Sequence, residues 1–331
     1  MTGVYRAGRT PYDLADWGAV MIIVTGAAGF IGSNLLRALN QRGDTDILVV
    51  DRLGPNFRNL SDLRFSDFME PEALLGAIGR DAMPPKIEAI FHQGACADTT
   101  ESDGHYMMEN NFGFSRELLG FALARRVPFV YASSAAVYGA NRVTLAEPAN
   151  EHPLNLYALS KLAFDNHVRH AANTAASTVV GLRYFNVYGP REAHKGNMAS
   201  MAYQLFRQLR ESDIARLFVG TDGFGDGEQR RDFVFVEDVV KVNLYFASAP
   251  ARREIINVGT GRSRSFNELA AILIDLRGRH GEIEYVPFDE RLKGKYQSFT
   301  QADLTALRAA GYTAEFTPLE QGLAQSLPAW E

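Results

Sequence analysis

The stretch MIIVTGAAGFIG, which begins at Met21, permits few architectures. MIIVTG reads as a strand buried on both faces, as in a parallel sheet. SNLLRALNQRG follows as a helix, with Leu35, Leu36 and Leu39 at helical spacing and Gly43 as its stop. The alternation recurs: DILVVD, IEAIFH and VPFVYASS are further strands, with helical segments such as RELLGFALARR between them. Strand and helix at this rhythm imply right-handed crossovers, so the expected fold class is α/β, a doubly wound parallel sheet of Rossmann type.

A chain of 331 residues is long for one core, and two lobes are expected. Residues 21–190 with about 232–261 would form the dinucleotide-binding domain. About 191–231 with 262–331 would form a smaller mixed α/β substrate-binding lobe. Residues 1–20 mix charges with Gly and Pro and read as a leader without the apolar core of a signal peptide. No apolar run approaches the roughly 20 residues of a membrane helix, so no membrane partner is expected. With 34 basic against 39 acidic residues, the chain lacks the cationic balance of a nucleic-acid binder. A single cysteine, Cys96, excludes an internal disulfide and a multi-cysteine metal site, so no metal is expected and a reducing cytoplasm fits best.

Gly26, Gly29 and Gly32 fall at G-x-x-G-x-x-G spacing between the first strand and its helix, one residue different from the usual dinucleotide fingerprint. Such a turn brings backbone N–H groups up to a pyrophosphate at a helix N-terminus. Asp51 ends the second strand, where an acid can bond ribose hydroxyls; its neighbour Arg52 has the planar guanidinium that suits a 2′-phosphate. The two residues pull towards NAD and NADP respectively.

YALSK places Tyr157 and Lys161 on one face of a helix. A phenol is a poor base near neutrality, but an adjacent ammonium and an oxidised nicotinamide favour the phenolate. That pair suits removal of a hydroxyl proton as hydride leaves the same carbon. Upstream, YASSAAVYG ends a strong strand at the edge where open sheets bind ligands, and Ser134, ahead of Ser133, is the candidate donor to the reacting oxygen. NVYGPREAHKGNMAS gathers Arg191, His194 and Lys195 in a Gly- and Pro-punctuated segment.

In order along the chain, TGAAGFIG, FHQGA, Asn110–Asn111, ASSAAVYG, YALSK, RYFNVYGPRE, RRDFVFVEDV and INVGTG resemble the extended short-chain dehydrogenases/reductases, the group of nucleotide-sugar epimerases and dehydratases. FHQGACADTTESDGHYMMENN, YFNVYGPREAHKGNMAS and LKGKYQSFTQADLTALRAAGY resemble the branch that inverts carbon 6 of an ADP-heptose for lipopolysaccharide inner-core synthesis. The resemblance implies NADP, tightly bound, an ADP-heptose substrate, a homopentamer and a transient keto intermediate. It implies Tyr157 and Lys195 as acid/base residues on the two sides of the substrate, with Lys161 and Ser134 beside Tyr157.

For the cofactor, the resemblance implies Phe30, Ile31, Asp51, Arg52, Gln93, Gly94, Ala95, Cys96, Ala97, Asn110, Lys161 and Val187. For the substrate it implies Ser134, Asn186, Asn197, Phe218, Val219, Gly220, Thr221, Arg231 and Tyr296, and a guanidinium such as Arg231 pairs well with a diphosphate. The chain departs from the pattern by a shorter segment between Arg52 and Leu60, at Asn56 and Pro71 where lysines are expected, at Gln204 in place of His, and at Asn197 in place of Ser. Two other enzyme readings share the same machinery, a nucleotide-sugar 4-epimerase and a 4,6-dehydratase. A dehydratase carries an Asp-Glu pair where this chain has Ala135 and Ala136. A non-catalytic NADP-sensing module is the remaining alternative. His194 and Cys96 read as a loop residue and a packed thiol.

Overall fold

Side chains of successive strand residues point to opposite faces, and in this chain both faces are apolar, so helices must cover the sheet twice. The computed structural model of the chain describes residues 20–289, 294 and 296–331; the expected leader, save Val20, and part of LKGKYQSF lie outside the described residues. The strands are β1 (Met21–Thr25), β2 (Ile47–Val50), β3 (Asp67–Met69), β4 (Ile87–His92), β5 (Phe129–Ser134), β6 (Val179–Tyr184) and β7 (Asn186–Tyr188). They continue as β8 (Ile214–Phe218), β9 (Arg230–Arg231), β10 (Phe233–Phe235), β11 (Arg253–Val258), β12 (Arg264–Ser265) and β13 (Glu282–Val286). The helices are α1 (Phe30–Arg42), α2 (Pro71–Gly79), α3 (Gly104–Met108), α4 (Phe114–Arg125) and α5 (Leu156–Ala171). After them come α6 (Met201–Ser212), α7 (Val236–Ser248), α8 (Phe266–Arg277), α9 (Thr305–Ala309) and α10 (Leu319–Trp330).

Seven strands form one sheet in the order β11-β6-β5-β4-β1-β2-β3, with every neighbouring pair parallel. The fold is thus the doubly wound α/β sheet expected from the sequence. Ile22, Val24, Ile47 and Val49 pack on one face against Leu35, Leu36 and Leu39 of α1 and Val239, Val242 and Phe246 of α7. Ile23, Leu48 and Val50 face the other way, towards Leu74 of α2, Leu118 of α4 and Phe164 of α5. Strand order reverses between β1 and β4, and the crevice outside their carboxyl ends is where such sheets hold ligands.

Residues 232–240, expected within the dinucleotide-binding domain, divide: α7 packs on the α1 face, but β10 pairs with β7 outside the sheet. β7 carries the chain from the end of β6 to a second core, where Leu205 and Leu209 of α6, Leu269 and Leu273 of α8, and Leu323 and Trp330 of α10 meet Leu217 of β8. Helix α6 begins at Met201, because the Ser200 hydroxyl accepts from the Tyr203 amide and caps the helix there. No helix among the described residues is long and apolar enough to cross a membrane.

Candidate active site

The crevice between β1 and β4 is built by close backbone approach. Gly26 has φ +66°, and a Cβ there would lie 2.6 Å from the Gly94 Cα. At Gly32 a Cβ would come within 2.0 Å of the Gly26 carbonyl oxygen, so α1 starts hard against the turn. Gly29 caps α1 without a side-chain acceptor and no acid stands in the first turn, which leaves the start of the helix, at Phe30 and Ile31, suited to an anion. A cavity of about 520 Å³ runs from Thr25 and Gly26 past Asp51 and Arg52 to Asn110 and Gly113. A glycine cradle with an uncapped helix start, opening into a cavity of this size with an acid at its ribose position, fits a nicotinamide dinucleotide.

Asp51 is held in place by accepting from the Ala28 amide (2.8 Å) and the Arg52 amide (2.8 Å). Burial raises its pKa, against those bonds. The Arg52 guanidinium donates to Asn110 Oδ1 at 2.7 Å and to the Glu72 carboxylate. The Gln93 side chain turns instead to Asn243 (3.0 Å) and to the Tyr184 hydroxyl (2.9 Å), so what Gln93 can offer the crevice is main chain. Asn111 bonds both the amide (2.8 Å) and the carbonyl (2.9 Å) of Cys96, pinning the segment that continues through Gly94 and Ala95. Ala97 is exposed, and Val187 lies on β7 opposite Val234.

At the end of β5, Ser133 and Ser134 point to opposite sides. Ser133 Oγ donates to Asp165 at 2.9 Å, whereas Ser134 Oγ accepts from the Ala136 amide at 3.1 Å and lies on the side of the Tyr157 hydroxyl. Asn155 caps α5 by accepting from the Ala158 amide at 2.8 Å, which starts the helix one residue before Tyr157. Lys161, one turn on, donates from Nζ to the Ala132 carbonyl at 2.8 Å. Burial pushes the Lys161 amine down to about 8, with Asp165 opposing the shift. Burial raises the Tyr157 phenol, and the neighbouring Ser134 hydroxyl works against that rise. Behind them Asp165 also accepts from Tyr131 (2.9 Å) and from Arg183 Nε (2.9 Å), and Arg183 reaches Glu151 at 2.6 Å.

The segment expected to be a loop forms a short 3-10 turn, Ala193–Met198, which carries Lys195 and follows Glu192. The buried Glu192 carboxylate accepts from the amides of Gly189 (3.0 Å) and Ser200 (2.6 Å) and from the Ser200 hydroxyl (2.9 Å). Lys195 Nζ is 5.5 Å from the centroid of the Phe30 ring, at the very start of α1. Burial lowers its pKa while Glu192 raises it. The neighbouring basic residues face elsewhere: Arg191 binds Asp62 at 2.5 Å, and His194 Nδ1 accepts from Asn59 Nδ2 at 3.1 Å.

A second cavity, of about 500 Å³, is lined by Gly220, Thr221, Phe224, Phe288, Tyr296 and Arg142 among others. The Phe218 ring packs at 5.3 Å on Phe288 and at 6.5 Å on Tyr296. The buried Arg231 guanidinium lies 4.8 Å over the Tyr296 ring, and burial lowers its pKa. Val219 is tied through its amide to Val286 (2.9 Å), and Asn186 accepts from Thr300 (3.0 Å). Asn197 is exposed, and its carbonyl accepts from Gln204 at 3.1 Å. The candidates therefore gather in three groups: Tyr157, Lys161 and Ser134; Lys195 with Phe30; and Phe218, Arg231 and Tyr296 beside the second cavity. Sequence reasoning missed Arg142, whose guanidinium lies 5.5 Å over Phe224 and 5.8 Å over Phe299, and also Glu72 and Glu192. Arg142 belongs to no local pattern; Glu72, following Pro71 at a helix start, was the more legible.

Residues 22–259 match the NAD dependent epimerase/dehydratase family. The chain is 54% identical over 311 residues to ADP-L-glycero-D-manno-heptose-6-epimerase of Alkalilimnicola ehrlichii, covering 93% of this chain and 97% of that one. Among solved structures it resembles the Helicobacter pylori ADP-L-glycero-D-manno-heptose-6-epimerase, with a TM-score of 0.81 and 31% identity over 94% of this chain and 96% of that one. It also resembles MoeE5 in complex with UDP-glucuronic acid and NAD, with a TM-score of 0.76 and 28% identity over 93% and 98% of the two chains.

Proposed function

The chain belongs to the NAD dependent epimerase/dehydratase family, and from that premise we propose that it inverts carbon 6 of ADP-D-glycero-β-D-manno-heptose to give the L-glycero epimer. The observation that carries this reading is 54% identity, over nearly the whole chain, to an epimerase of that name, with Tyr157, Ser134 and Lys161 gathered at the carboxyl end of β5. A bound nicotinamide dinucleotide supplies the two-electron chemistry that lets carbon 6 pass through a ketone.

The chain's own residues hold the substrate and move its protons. Tyr157 takes the proton of the carbon 6 hydroxyl, Ser134 bonds the same oxygen, and the Lys161 ammonium favours the phenolate. Inversion requires a proton partner on each side, because one base does not reach both hydroxyl orientations with good geometry. Lys195 is that second group: it is already desolvated, which brings its amine closer to a working range. Arg231 pairs with the diphosphate, and Phe218 to Thr221 with Tyr296 wall the nucleotide. Ala135 and Ala136 stand where a dehydratase needs its acid pair.

Of the two dinucleotides, NADP is the finer reading, resting on Arg52 beside Asp51. Residues 191–231 and 262–331 serve as the substrate lobe of a cytoplasmic homopentamer. Proton NMR of purified protein incubated with ADP-D-glycero-D-manno-heptose tests the reaction through the appearance of the carbon 6 epimer. No epimerisation with a loaded cofactor site would overturn it, and light scattering tests the pentamer.

A further inference from the structure

Asp51 and Arg52 stand side by side at the exit of β2 and make opposite demands on an adenosine ribose: the acid favours free hydroxyls, the guanidinium a 2′-phosphate. A third charge intervenes. Glu72, in the first turn of α2, turns its carboxylate onto the Arg52 guanidinium, whose Nη1 is also engaged by Asn110 at 2.7 Å. The helix start suits an anion at this position. The carboxyl of Glu72 lies below the ordinary range, through its own backbone amide and then Arg52. The remainder of the cavity wall does not offset this: its other cation, Arg116, is paired with Glu117 at 2.9 Å, and Glu109 adds a further acid. Asn56 and Pro71, where lysines were expected, add no charge.

We infer that Glu72 sets the preference between NAD and NADP, occupying the guanidinium beside Asp51 and opposing a 2′-phosphate with its own charge. NADP must displace Glu72 from Arg52 and then sit beside it; NAD disturbs neither residue. Whatever preference for NADP the Arg52 guanidinium confers is therefore restrained by one side chain. Both partners are half exposed or more, 52% for Arg52 and 65% for Glu72, so solvent screening keeps the effect moderate. The inference rests on the dinucleotide reading above but not on the heptose.

The test is direct binding. Protein stripped of nucleotide is titrated calorimetrically with NAD and with NADP, as wild type, Glu72→Gln and Glu72→Lys. The neutral variant is expected to raise affinity for NADP relative to NAD about fivefold, with the lysine variant further in the same direction. Affinity for NAD should stay within about twofold, and the gain should shrink as salt is raised. A ratio unchanged in both variants, or an equal loss for both nucleotides, would overturn the inference. So would wild-type protein that binds neither nucleotide, which would remove the cofactor reading with it. Binding without epimerisation would sink the proposed reaction and leave this result standing.

Discussion

The Lys161 ammonium lies 5.9 Å from the centroid of the Tyr157 ring while donating at 2.8 Å to the Ala132 carbonyl, so one cation both fastens α5 to β5 and faces the phenol. Its amine is brought down to about 8 by burial. The proton it carries is thus lost as pH rises through that value, and with it the support for a phenolate. Turnover is expected to fall on the alkaline side with an apparent pKa near 8. In Lys161→Arg the guanidinium stays charged, so the limb should vanish even where overall activity is lower. An unchanged limb in that variant would assign it to another group.

Lys195, held over Phe30, is expected to matter to chemistry more than to binding. Lys195→Ala should lower kcat in both directions by about 10²- to 10⁴-fold, with cofactor affinity nearly unchanged. Tyr157→Phe should do the same. Near-normal turnover of the lysine variant beside an inactive tyrosine variant would refute two-sided proton transfer.

Asp165 and Arg183 are each fully buried and joined at 2.8 Å. Removing Asp165 leaves the buried Arg183 cation to Glu151 alone, at 2.6 Å, so Asp165→Asn should cost about 3 kcal/mol in urea unfolding. Replacing both, by Asp165→Leu with Arg183→Met, should cost less than the sum of the two single changes. Strict additivity would show that the two residues act independently.

His92 is buried between Thr25 Oγ1 (2.6 Å) and Ser115 Oγ (2.7 Å), and burial lowers its pKa from 6.5 to about 3. Between those values the unfolded chain binds the proton and the folded chain refuses it. Stability from this site is therefore present above pH 6.5 and lost progressively towards pH 3. In His92→Gln the drop in unfolding free energy between pH 7 and pH 5 should shrink by about 2 kcal/mol. Denaturant titrations at the two pH values measure it, and an equal drop in both proteins would count against a neutral buried His92.

Features carried by near neighbours in the chain were legible before the fold was known. Apolar runs, glycine spacing and the four-residue interval of Tyr157 and Lys161 express strand and helix periods, which depend on local backbone geometry. They suffice for the parallel sheet, for the glycine turn at its switch point and for the tyrosine–lysine face. Tertiary structure decided what depends on distant partners: that Ser134 rather than Ser133 meets Tyr157, that Arg191 answers Asp62 while Lys195 answers Phe30, and that Glu72 claims Arg52. Each of those outcomes is set by which elements pack together, and packing is a property of the whole chain that no short pattern encodes.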